Sequence, residues 1–163
     1  MTKFFEDFRV GEQTRLGEFT FDAEAIITFA REFDPQPFHI DEEGGRKSHF
    51  GGLCASGWHT CAVFMKVLTG YQSDVRERTE LAEGERWPVP GPGLGFRDLR
   101  WTRPVYAGDT ITFSRRVLEK IEMKSRPTWG LLINRNEGVN QHGERVISFI
   151  HELFIERRKM PGL

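Results

Sequence analysis

The first regular pattern in the chain is helical. Apolar residues fall at Ala23, Ile26, Ile27, Ala30 and Phe33, the spacing of one face of an α-helix. Asp22 stands where an N-cap belongs and Glu24 lies in the first turn, both favourable at a helix N-terminus. Pro35 and Pro37 stop this helix, since proline lacks an N–H and restricts the residue before it. Ahead of it, Thr14 to Phe21 reads as a strand. From Asp34 to Phe50 the chain is rich in Pro, Gly, Asp and His and predicts irregular structure. Gly51-Gly52 leads into a second helix expected from about Ser56 to Thr69. One face would carry Trp58, Cys61, Ala62, Met65 and Thr69, the other Val63, Phe64, Val67 and Leu68. A helix apolar nearly all round is a buried helix, and Gly70 is placed to end it.

Residues 71–93 are charged, carry several Pro and Gly and show no period. They predict a long loop, and such loops in compact domains are often functional. After it the pattern changes to period two. Ile111, Phe113, Val117, Ile121 and Met123 share one parity, broken by Arg115 and Glu119, and Trp129, Leu131 and Ile133 repeat the pattern. Val146 to Ile155 is a further strand, apolar on both parities, with turn signals at Ser125-Arg126-Pro127 and from Asn140 to Gly143. This order predicts one α+β domain spanning 1–163, with a curved antiparallel sheet wrapped round a long buried helix. One sheet on one helix leaves an edge and apolar surface, so a homodimer or higher homo-oligomer is expected.

Composition narrows the functional classes. Hydrophobic residues make up 38% of the chain with no run long enough for a membrane span. The net charge is -1 with both signs mixed, which leaves no electrostatic footprint for nucleic acid or a membrane surface. The one dense basic run, Arg157-Arg158-Lys159, reads as a solvated tail. The N-terminal MTKFFEDFRVGEQT has no apolar core of a secretory signal, so the cytoplasm is the expected location. Cys54 and Cys61 would stand about 10 Å apart if they shared one helix, too far for a disulfide; they read as small apolar residues in a reducing compartment.

Three segments could carry chemistry. In Asp34-Pro35-Gln36-Pro37-Phe38-His39, two prolines stiffen the backbone between a carboxylate and an imidazole, a pair able to supply base and acid near neutral pH. A plain turn capped by Asp34 accounts for the same residues. Phe50-Gly51-Gly52-Leu53-Cys54-Ala55-Ser56-Gly57-Trp58-His59 runs glycines up to a helix start. There unpaired N–H groups and a partial positive charge could hold an oxyanion. Ser56 is the expected cap and Gly57 the first helical residue, where alanine would add only a methyl. In Trp101-Thr102-Arg103-Pro104-Val105-Tyr106-Ala107-Gly108-Asp109-Thr110, Pro104 and Gly108-Asp109 read as a strand break and turn, structural by themselves. His39, His49 and His59 lack the spacing of a zinc site, so no metal is expected.

Taken together and in order, these segments resemble the MaoC-like dehydratases, which include the (R)-specific enoyl-CoA hydratases, on the hot-dog fold. That family's hydratase motif reads Asp-x-Asn-Pro-x-His; here Gln36 stands in place of the Asn. The resemblance also takes in Phe50 to Gly57, Arg103 to Thr110, and Asn140-Gln141-His142-Gly143-Glu144. It implies addition or removal of water across an α,β-enoyl thioester, with Asp34 and His39 as the acid–base pair and the Gly57 N–H on the thioester oxygen. Gln36, Phe38, Ser56, Trp58 and Arg103 would surround the substrate, with the 71–93 segment bordering the channel through Trp87 and Val89. Coenzyme A would enter as substrate carrier, with no metal or redox cofactor. Arg97, Arg100 and Arg103 could meet its phosphates, or form a solvated strand face. A hot-dog thioesterase and a non-catalytic acyl-binding subunit remain open alternatives, because one fold hosts many functions.

Overall fold

The computed structural model describes residues 2–158. A 3-10 turn, Phe5–Asp7, precedes strand β1 (Gln13–Thr20) and helix α1 (Ala23–Phe33). Asp22 caps α1 by accepting from the Ala25 N–H. Two short helices follow, α2 (Pro37–Ile40) and α3 (Glu42–Lys47), then the long helix α4 (Gly57–Arg78). Strands β2 (Pro90–Trp101), β3 (Thr110–Glu122), β4 (Trp129–Val139) and β5 (Arg145–Glu156) complete the described chain. All pairs are antiparallel, in one five-stranded sheet of order β1-β3-β4-β5-β2. This is the expected α+β domain of a sheet on a long helix.

The helix packs on the sheet through one main core. Phe64 of α4 meets Phe113 and Phe149 edge-on, with ring centroids 5.9 and 4.8 Å away. Leu16, Phe21, Ile26, Ile111 and Ile147 close around them. At Gly17, a β1 bulge with φ +145° that favours glycine, an added Cβ would stand 3.2 Å from Val67 Cγ1 on α4, a tight contact. A second cluster joins Phe5 and Phe8 to Val117, Leu132, Leu153 and Ile155. The Phe5 ring lies directly on Gly130, where a Cβ would meet it at 2.3 Å.

Several expectations need correction. Residues 34–50 are not irregular throughout, since they form α2 and α3. Gly70 does not end α4, which runs on to Arg78. Gly70 lacks the left-handed φ of a C-cap glycine. Tyr71 and Val75 remain half-buried at helical spacing, enough to carry the chain past a glycine that costs about 1 kcal/mol. The loop expected over 71–93 is therefore helix at its start and strand at its end. Pro90 and Pro92 fit β2 because it is an edge strand, where a missing N–H is tolerated. Burial of α4 is one-sided: Trp58 and Met65 are 53% and 48% exposed. In β4 the buried parity is that of Gly130, Leu132, Asn134 and Asn136, not that of Trp129 and Leu131.

The basic run is not a solvated tail. Arg157 pairs with Glu6 and Glu122, Arg158 pairs with Asp7, and their guanidiniums lie over Phe5 and Phe4; Lys159 lies outside the described residues. The two cysteines share no helix, since Cys54 precedes α4 and Cys61 lies on it. Among the described residues no helix is long and apolar enough to cross a membrane.

The clamp at Phe5 gives a direct test of packing. Phe5 is 4% exposed and Phe33 64%. Phe5→Ala is expected to lower unfolding free energy in urea by about 3–5 kcal/mol, and Phe33→Ala by less than about 0.5 kcal/mol.

Candidate active site

Asp34 is the C-cap of α1. Its N–H still donates to Ala30 O, but its backbone (φ -156°, ψ 68°) has left the helix. Leaving there is dictated by Pro35, which disfavours helical geometry in the residue before it. Pro37 then starts α2, which turns His39 inward until it is 6% exposed. The imidazole Nδ1 stands 2.7 Å from the Cys54 carbonyl oxygen. A carbonyl only accepts, so Nδ1 carries the proton and Nε2 turns its lone pair to the cavity. That Nε2 is 3.6 Å from Asp34 Oδ2, beyond a direct hydrogen bond and open to a bridging oxygen.

The segment before α4 holds both groups. Cys54 N–H donates to Phe38 O, Ala55 N–H to Val105 O, and Ala107 N–H to Leu53 O. The Arg103–Thr110 motif thus anchors the glycine-rich segment, and Asp109 anchors the motif by accepting from Tyr106 N–H and the Gln141 amide. Ser56, fully buried, caps α4. Its hydroxyl accepts from Trp58 N–H and donates to Asp34 Oδ2, at 3.2 and 2.7 Å. Gln36 donates its side-chain amide to Asp34 Oδ1 at 2.9 Å. Burial acts to raise the Asp34 pKa, but the hydrogen bonds from Ser56 and Gln36, with His39 beside it, prevail and hold the carboxyl below its ordinary value.

A cavity of about 550 Å³ opens on this pair. Among its lining residues are Asp34, Gln36, Phe38, His39, Gly57, Trp58 and Arg103. Of the expected site residues only Ser56 is not on the wall; it sits behind Asp34 and orients it. Gly57 is the first residue of α4, so its N–H is among those without an acceptor inside the helix. Alanine there would not be innocuous. A Cβ on Gly57 would lie 2.5 Å from the Trp101 ring, whose Nε1–H donates to Gly57 O at 3.1 Å. Trp101, Thr60 and Val146 also line the cavity, and no local sequence pattern pointed to them. Trp101 opens the segment from Trp101 to Thr110, yet its hydrogen-bond partner Gly57 is 44 residues away.

Of the three arginines, Arg103 alone reaches this cavity, paired with Glu144 at 3.4 Å. Arg97 is held by Glu152 and Asp98, and Arg100 is exposed. His49 packs on Phe50. His59 is stacked on Phe29 at 4.5 Å, and burial pushes its pKa down to about 4. Within this chain the 71–93 segment does not border the site. Trp87 lines a different cavity with Thr2, Phe4 and Asp7; it precedes the start of β2, whereas Trp101 at the strand's other end lines the site.

Residues 7–129 match the family model of the MaoC like domain, and the chain belongs to that family. Over 97% of its length it superposes on 99% of a MaoC-like dehydratase from Rhodospirillum rubrum, with TM-score 0.80 and 36% identity. It also fits, with TM-score 0.75 and 16% identity, a double-hotdog protein of Mycobacterium tuberculosis, 99% of this chain covering 47% of that one; the fold is thus a hot dog. Among curated proteins, an (R)-specific enoyl-CoA hydratase of Rhodospirillum rubrum is 24% identical over 109 residues, 67% of this chain and 65% of that protein.

Ser56 serves the helix and the carboxylate at once, and its removal has two separable effects. Ser56→Ala is expected to cost about 1 kcal/mol of stability as a lost cap. It also removes a hydrogen bond that stabilises ionised Asp34. A depressed carboxyl pKa keeps Asp34 charged as pH falls, so the variant should lose ionised Asp34 at a higher pH. An NMR titration of the Asp34 carboxyl carbon should show an upward-shifted midpoint; an unmoved midpoint would remove Ser56 from the site's electrostatics.

Proposed function

We propose that this protein adds water across, or removes it from, α,β-enoyl and 3-hydroxyacyl thioesters, with coenzyme A as carrier. The observation that carries this reading is the Asp34–His39 pair, 3.6 Å apart with both outer partners fixed. A water bridging Asp34 Oδ2 and His39 Nε2 faces two acceptors and no donor, which turns its lone pair toward the substrate. Attack at C3 forms the C–O bond, one water proton passes to the pair, and the pair returns a proton to C2. The double bond's electron pair moves through an enolate onto the thioester oxygen and back to C2, so no redox partner is needed. The Gly57 N–H and the positive end of α4 would hold that oxygen. Membership of the family supports this reading, as does the hydratase named among the relatives.

Phe38 and Trp58 would flank the acyl thioester, Gln36 and Ser56 would orient the base, and Arg103 would meet the carrier's phosphates at the mouth. Exposed Leu94 and Phe96 on edge strand β2, with Met65 on α4, support self-association as a homodimer.

The test is loss of enoyl absorbance on mixing with a panel of trans-2-enoyl-CoAs. His39→Ala and Asp34→Asn should each slow turnover by about 10²–10⁴, and the double variant should be little worse than the worse single. Release of free thiol without hydration would establish a thioesterase instead.

A further inference from the structure

The Trp101 indole forms part of the wall of the cavity holding Asp34 and His39. Past Trp101, between the next turns of α4 and strand β2, lies a separate hollow of about 110 Å³. Cys61, Phe64, Met65 and Leu99 wall it, with His151 at its edge. Leu99 and Trp101 are two residues apart on β2, so they share a face. Gly57 and Cys61 are one turn apart on α4, so they also share one. Gly57 and Trp101 line the first space, and Cys61 and Leu99, one turn on along α4 and two residues back along β2, line the second. The Trp101 Nε1–H donates to Gly57 O at 3.1 Å, and its ring occupies the place where a Cβ of residue 57 would be. Trp58 meets the same ring edge-on at 5.4 Å.

We propose that Trp101 is the partition that ends the acyl pocket and sets the length of chain the site accepts. This rests on the reading of the site as one for acyl thioesters. The space behind the ring is suited to an aliphatic chain: its walls are hydrocarbon and sulfur, and burial together with nearby Arg115 keeps His151 below the ordinary imidazole range. The partition is a side chain, not backbone. It is half exposed and pinned by contacts to α4 at Gly57 and Trp58, so shortening it joins the two spaces without breaking the β2–β5 pairing.

Trp101→Ala and the milder Trp101→Leu would be compared with the parent protein on two ladders of increasing chain length: turnover of trans-2-enoyl-CoAs, and calorimetric binding of saturated acyl-CoAs. In the variants the long-to-short ratio should rise by about fourfold for each methylene newly buried. Cys61→Phe on the Trp101→Ala background refills the hollow and should bring the ratio back. Unchanged ratios in both ladders for both variants would overturn the partition. If the parent turns over no enoyl-CoA while the binding ladder still shifts, the partition stands and the hydratase reading falls. If turnover is seen but neither ladder shifts, the hydratase reading stands and the partition falls. Should Trp101→Ala not fold, Trp101→Leu alone decides.

Discussion

The hydroxyl of Ser56 has one proton and two obligations. It accepts from Trp58 N–H, closing the first turn of α4, and it gives its proton to Asp34 Oδ2. Ser56 is fully buried, so water does not compete for either bond, and a buried hydroxyl that loses a partner leaves an uncompensated polar group. The start of the long helix and the carboxylate at the end of α1 therefore hold one another in place. His39 depends on the same segment two residues earlier, through the Cys54 carbonyl. The site is a consequence of how residues 53–57 enter α4, and strand-like bonds to residues 105–107 fix that entry.

This arrangement explains how Gln36 can stand where the family's motif has Asn. Gln36 is the N-cap of α2, and its backbone N–H bonds Asp34 O at 2.7 Å. That turn brings the residue back over Asp34, and the longer side chain spans the remaining gap to Oδ1. Both carboxylate oxygens thus accept from fixed donors, which favours the ionised form. The Gly57–Trp101 contact is a second coupling of this type: the absent side chain at the helix start is matched by a large one from an edge strand.

Much of this was readable in the chain because the signals are local. The Asp22 cap, the periodicity from Ala23 to Phe33 and the stop at Pro35 fixed α1 within its observed bounds. The Ser56-Gly57 helix start and the Asp34-to-His39 spacing placed the candidate pair on elements that do meet. What failed was set by long-range packing. Gly70 looked like a stop, but half-buried residues beyond it carry the helix on. The Gly- and Pro-rich stretch of β2 had no period, because its bulges between Gly93 and Gly95 and its edge position relax the rules of a central strand. Burial of Asn134 and Asn136 inverted the parity expected of β4, since side-chain polarity alone does not say which face a strand turns inward. Trp101 gave no local sign of its role.

The tautomer of His39 is where these constraints converge. If residues 53–57 hold the imidazole as described, the Nδ1 proton is committed to the Cys54 carbonyl and Nε2 is free to bind water beside Asp34. Nitrogen-15 NMR of the His39 ring, in protein with the imidazole neutral, reads this directly. A protonated Nδ1 and a bare Nε2 are expected, with the pattern retained in Asp34→Asn. A ring protonated at Nε2 instead would contradict it, because the pair would then present a donor where water must find an acceptor.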